Sequence, residues 1–228
     1  MAGIVFLRTN LFEVRLEGIT FKPHDFASLC AADFLFPKTA FWPESHPPVI
    51  GIDVIPHPRD SSVLLLLLSF GVGCVVLRFP AGEPLPIAIH AFLSDKRIRF
   101  VAFGMERKEG LFPFRELGLN RDAVDVGCIA ANVMGDPIYR DSELGELAEA
   151  ILGIHQVVGL TDVSSFRRHE EIKAAICQLF LTTVIAMGLF NKSSAPSPSP
   201  SSSSSKKASF LKTLNSLHLL AEGWFKLP

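Results

Sequence analysis

The sequence has no surplus of charge of either sign: 22 lysines and arginines stand against 23 aspartates and glutamates, a formal net charge of −1. No broad field recruits polyanions, so any nucleic-acid contact has to come from a local patch. Cysteine is sparse: Cys30, Cys74, Cys128 and Cys177 are widely spaced, form no CxxC pair, and three of them sit in apolar segments. That pattern predicts buried reduced thiols in an intracellular protein, not a disulfide framework or a metal cluster. There is no GxSxG and no cysteine beside a histidine in a recognisable signature, and serine is concentrated in one linker, so nothing points to nucleophilic catalysis. His57 lies in an HPRD loop and lacks a second histidine at ligand spacing.

A long uninterrupted apolar run is also missing. Spanning a bilayer takes about 20 consecutive apolar residues. The most hydrophobic stretch, Ser61 to Phe79, is divided by Gly71-Val72-Gly73 into two pieces of strand length, which predicts a buried hairpin and no membrane contact. Near the amino terminus, Arg8, Glu13, Arg15 and Glu17 break the apolar pattern, unlike a signal peptide. The expected location is therefore the nucleus or cytoplasm, not the secretory route.

What is present is a chain of 228 residues, 48% hydrophobic, enough for one sizeable core. Ile4 to Phe21 reads as extended segments, and Pro23 to Leu35 has helical content with Asp25 as a cap and Phe26, Leu29 and Cys30 on one face. After a proline-rich loop come a β-branched strand, Val49 to Ile55, and the hairpin, Val63 to Phe79. A short segment lies around Ile89 to Leu93. Ile98 to Gly104 is a further strand, and Ala123 to Ala130 is expected to begin as one.

Ser142 to Leu152 has helical spacing, with Gly153 to close it, and a longer helix is expected from Ser164 to Leu189. Residues 191–209, rich in serine and proline, form a linker after a domain over residues 1–190, and residues 210–228 are expected to form an amphipathic helix. The layout is α/β, with a mixed sheet holding an antiparallel hairpin first and parallel strands afterwards.

GIDV (Gly51 to Val54), the strands VLLLLLSF and GCVVLRF, FLSDKRIRFVAFG (Phe92 to Gly104), DVGCIA and ELGELAEAILG together resemble a Werner syndrome-type 3′-5′ exonuclease domain. The resemblance covers Val5 to Leu189, and the small single-domain form is similar to plant members. It implies a ribonuclease H-like mixed sheet of five or six strands flanked by helices. It also implies the two-metal phosphodiester hydrolysis of the DEDD group, in which four carboxylates hold two divalent ions about 3.5 to 4 Å apart. Magnesium or manganese would be the ion in an active member, because hard cations need anionic oxygens.

Carried over motif by motif, the resemblance implies a degenerate site. The first motif, Asp-x-Glu, reads Asp53-Val54-Ile55, so Asp53 is retained and Ile55 stands in place of the glutamate. In the second, Arg107 or Lys108 takes the aspartate position, where a cation repels a metal ion. In the third, Ala174 and Gln178 fall where a tyrosine and an aspartate are expected. The nearest carboxylates there are Glu170 and Glu171, and Glu171 lies two turns away, about 10 Å along the helix. Asp53 remains as the one vestigial ligand, and no metal cofactor is expected of a degenerate member.

Lys96, Arg97 and Arg99, with Arg107 and Lys108 beyond the strand, are candidates for a basic patch able to hold phosphates without cleaving them. Phe112 and Phe114 are candidates for base stacking or for the core. Three readings follow. The first is a non-catalytic family member that binds nucleic acid or a protein. The second is an active metal-dependent exonuclease using Asp53 with Glu106 or Glu109. The third is a structural interaction module in which residues 210–228 supply the contact.

Overall fold

The computed structural model of the chain describes residues 2–26, 48–155, 157–162, 170–193 and 225–226. β1 (Ala2–Thr9) and β2 (Glu13–Phe21) open the chain as an antiparallel pair. β3 (Val49–His57), β4 (Asp60–Phe70) and β5 (Gly73–Pro80) follow as consecutive antiparallel strands, so Ser61 to Phe79 is the hairpin that the glycine interruption predicts. Helix α1 (Ile87–Leu93) then leads to β6 (Arg99–Val101), which pairs with β3 in parallel.

The strand order β6-β3-β4-β5-β2-β1 is the mixed sheet of the α/β expectation. Three antiparallel strands, with a parallel one added on the far side of the first, give it a ribonuclease H-like layout. β7 (Val157–Asp162) extends the sheet beyond β1, and β8 (Phe225–Lys226) pairs with the start of β2. Residues 225 and 226 of the segment expected to be helical over 210–228 are therefore extended. The 191–209 linker, apart from its first three residues, and the rest of the tail lie outside the described residues.

Four more helices complete the layers: α2 (Arg121–Val124), α3 (Val126–Met134), α4 (Leu144–Leu152) and α5 (Glu170–Ser193). α4 begins and ends as its sequence suggests, with a capping box between Glu143 and Glu146 and Gly153 in the left-handed conformation. The expected strand at Ala123 to Ala130 is helical instead. Only Asp125 remains extended, forming an isolated bridge with Ala102, and its side chain accepts from the Gly127 amide to cap α3. The capping aspartate overrides the β-branched content around it. The segment around Ile89 is a helix, Pro23–Asp25 forms a 3-10 turn that leads into a helical Phe26, and the rest of the helix expected to Leu35, with Leu29 and Cys30, and residues 164–169 lie outside the described residues.

β3 is covered on both faces. Ile50, Ile52 and Val54 enter one core with Leu66, Phe92 and Phe112, while Val49 joins Leu67, Ile176, Leu179 and Phe180 in the other. Alternation along the strand puts Gly51, Asp53 and Ile55 on the α5 face. α5 comes very close at Gly51, where a Cβ would sit 2.5 Å from the Thr183 Oγ1. Among the described residues α5 is also the one helix long and apolar enough to cross a membrane, and 83% of its apolar window is buried inside the domain.

Candidate functional site

Asp53 sits at the middle of β3, on the face turned toward α5, and is 7% exposed. Its Oδ1 accepts from the Val54 amide at 2.7 Å and from the Lys108 ammonium. Burial lifts the Asp53 carboxyl above the ordinary aspartate range, and the Lys108 charge and these hydrogen bonds draw it only part of the way back. Lys108 is less enclosed and also donates to the Phe103 carbonyl at 3.4 Å.

A short chain of backbone features brings Lys108 to this point. After β6 the chain turns at Gly104, whose φ of 65° is the left-handed region that glycine enters without strain. Met105–Lys108 then forms one 3-10 turn with Met105 buried as its anchor. Asp125 fastens that turn from across the sheet edge. Its Oδ2 accepts from the Met105 amide at 2.9 Å and its Oδ1 from the Gly127 amide at 3.0 Å, so one buried carboxylate joins the turn to the start of α3. The signal in the sequence is an aspartate directly before Val126-Gly127 at a helix start, outside the three carboxylate motifs.

The remaining candidate residues lie elsewhere. Ile55 is half-buried and packs against the α5 core. On α5, Gln178 is exposed and Ala174 half-buried, whereas Lys173 and Cys177, one residue earlier at the same spacing, are buried. The inward-facing pair is thus Lys173 and Cys177, and neither register brings a carboxylate. Lys173 bonds to Glu170, burial pushes the Cys177 thiol up to about 12, and Cys74, beside Asp53, is pushed up further. Burial thus disfavours the thiolate of both, the form that a metal ion needs.

Glu106 and Glu109 do not join Asp53 either: Glu106 pairs with Arg121 at 3.0 Å and Glu109 with Arg115 at 3.2 Å. Both line a cavity of about 760 Å³ beside the turn, together with Phe114 and Asn120. Among the described residues no three His, Cys, Asp or Glu side chains come together as a metal group. A divalent pair does not fit this donor set, because hard ions need several anionic oxygens and Asp53 has an ammonium already on it. His57 is occupied locally, its Nδ1 accepting from the Arg59 amide at 3.3 Å.

Among the solved structures similar to this chain are three of an EXD2 exonuclease domain. One is an EXD2 exonuclease domain, 21% identical, covering 80% of this chain and 99% of its own, with a TM-score of 0.36. A second is the EXD2 exonuclease domain soaked in Mn and Mg, 19% identical over 78% of this chain and 91% of the other, also with a TM-score of 0.36. The third, soaked in Mg and GMP, is 18% identical and covers 90% and 95% of the two chains with a TM-score of 0.35. No family profile and no curated protein matches the sequence. At that level of likeness the fold is read from the strand order itself.

The candidate basic patch is divided by the same strand order. Arg99 pairs with Val49 at the amino end of β6, four residues before Asp53 along β3, or about 13 Å at the rise of a strand. Lys96, Arg97 and Arg99 therefore lie at the opposite strand end from Arg107 and Lys108. Arg97 is held by Asp95 through bonds of 2.6 to 3.1 Å, and Arg99 lies over the Phe190 ring at 4.3 Å. Lys96 and Arg107 are exposed. Phe112 and Phe114 are each 3% exposed and stack edge to face with each other inside the second core, so they have the core role.

Proposed function

We propose that the chain is a catalytically degenerate member of the 3′-5′ exonuclease family that acts by binding, and that its partner is a protein. The observation that carries this reading is the Lys108 ammonium on Asp53, the one carboxylate of the expected set that the chain retains. Hydrolysis by the family's chemistry needs divalent ions held by several carboxylates. Ile55, Lys108 and either register of α5 supply none.

The choice of a protein over nucleic acid rests on the cations. A phosphate-binding surface needs several lysines and arginines on one face and free to neutralise the backbone. Here Arg97, Arg99 and Lys108 are engaged within the domain, and the candidates are divided between two ends of the sheet. With a net charge of −1 there is no wider field to compensate. A binding protein of this kind, working in the nucleus or cytoplasm, keeps the exonuclease layout as a scaffold.

The test incubates purified protein with a 5′-labelled single strand and a recessed duplex, in magnesium and in manganese, with Asp53→Asn alongside. No shortening is expected from either protein. Metal-dependent loss of 3′ nucleotides that disappears in Asp53→Asn would establish the active alternative. Anisotropy titrations of the same oligonucleotides decide the partner class: tight binding that falls steeply with salt and weakens in Arg97→Glu would move the partner to nucleic acid.

A further inference from the structure

We infer that Lys108 is a tethered cation held on the Asp53 carboxylate, and that it excludes divalent ions from this site even where a second carboxylate is supplied. The inference deepens the non-catalytic reading and rests on it. The site shows two separate losses, and they act differently. Ile55 is an absence: it withdraws a ligand from the same face of β3, two residues past Asp53. Lys108 is a presence, since its ammonium lies on the Asp53 Oδ1 itself.

A lysine ammonium is a compact point charge with three donors on a flexible stem. Covalent attachment keeps it beside the carboxylate, whereas a divalent ion must be drawn from solution and stripped of part of its water. The ammonium and the Val54 amide take both lone pairs of that oxygen, so a divalent ion there has to displace a donor against the repulsion of the ammonium. The ammonium is also placed by more than its own reach, because Gly104 reverses the chain, Met105 is buried, and the Asp125 Oδ2 accepts from the Met105 amide at 2.9 Å. The fold thus aims the residue at Asp53. The second donor to that oxygen, the Val54 amide at 2.7 Å, leaves it further occupied.

The inference orders a set of variants. Ile55→Glu alone restores the local Asp-x-Glu pair but leaves the ammonium in place, so it is expected to bind no more manganese than the wild type. Lys108→Asp together with Ile55→Glu removes the ammonium and offers three carboxylates, so its affinity should exceed that of Ile55→Glu by about tenfold or more. The measurement is loss of the free manganese signal in electron paramagnetic resonance during titration with full-length protein, with circular dichroism confirming the fold. Lys108→Asn with Ile55→Glu adds no new charge at position 108 and serves where the aspartate version does not fold; it should also bind better than Ile55→Glu.

If Ile55→Glu binds as tightly as the double variants, or if the folded double variants leave the manganese signal untouched, Lys108 is not the excluding element. Manganese held by the wild type without strand cleavage would remove this inference and leave the non-catalytic reading intact, whereas cleavage by the wild type would remove both.

Discussion

The Asp125 carboxylate holds the backbone amide of Met105 at 2.9 Å, tying the start of α3 to the turn that presents Lys108. The same side chain caps Gly127, so its two oxygens join an amide two residues ahead to one twenty residues behind. Replacing Asp125 with alanine strands two enclosed amides and is expected to cost about 3 kcal/mol, in keeping with hydrogen bonds to a charged group. Asp125→Asn keeps one accepting oxygen and should cost less. Urea unfolding of the two variants checks the order, and faster hydrogen exchange at the Met105 amide checks the location.

Lys108→Met leaves Asp53 buried without its counter-charge. Because the Lys108 side chain is 24% exposed, the expected loss is about 2 kcal/mol near pH 7.5, less than for a fully enclosed pair. The double replacement Asp53→Asn with Lys108→Met removes both charges and should return to within about 1 kcal/mol of the wild type. Chemical denaturation of the four proteins gives the coupling directly, and additive single effects would rule the pair out as a stabilising contact.

Dependence on pH follows from the raised Asp53 carboxyl. Its folded value lies above its unfolded one, so between the two the folded protein holds more protons and the contribution of this group falls as pH rises. Removing Lys108 takes away the largest opposing influence and extends that window upward. The stability gap between wild type and Lys108→Met should therefore be wider at pH 7.5 than at pH 4.5. Equal gaps at the two values would mean that Asp53 is not the group left exposed to the change.

Gly51 is a point of close approach between β3 and α5. A methyl group there meets the Thr183 Oγ1 and also comes within 2.9 Å of a Leu179 methyl carbon. Gly51→Ala should lower stability by about 2 kcal/mol through overpacking. In a Thr183→Ala background the same change should cost less, because the nearest atom is gone, and thermal unfolding of the two pairs measures the difference.

Cys74, Cys128 and Cys177 are all buried and free. In a Cys30→Ser background, a thiol reagent at pH 8 should label none of the three while the protein is folded and all three in denaturant. Prompt labelling of one of them under native conditions would show that its surroundings open.

Much of the sheet was legible because its causes are local. The β-branched run Val49 to Ile55 and the glycine break at residues 71–73 act over a few neighbouring residues, and the strands form where those patterns lie. The helical segment after Asp125 was less legible, since Val124-Asp125-Val126 has strand-like content and only the cap and the packing of Ile129 and Ala130 choose the helix. Register on α5 was also open to a slip of one residue: its apolar content is nearly continuous, and the face that turns inward is set by the sheet beneath it.

The sequence by itself determined that Ile55 stands two residues past Asp53, that basic residues follow Gly104, and that no broad charge is available for nucleic acid, because these are matters of residue identity. Only the tertiary structure decided that Lys108 meets Asp53, that Arg97 and Arg99 stand at the other end of the sheet, and that Lys173 and Cys177 are the buried pair on α5. The physical reason is separation along the chain. Lys108 and Asp53 are 55 residues apart, and no local propensity acts over that distance. Their meeting depends on β6 adding parallel to β3 and on Asp125 holding the turn that follows.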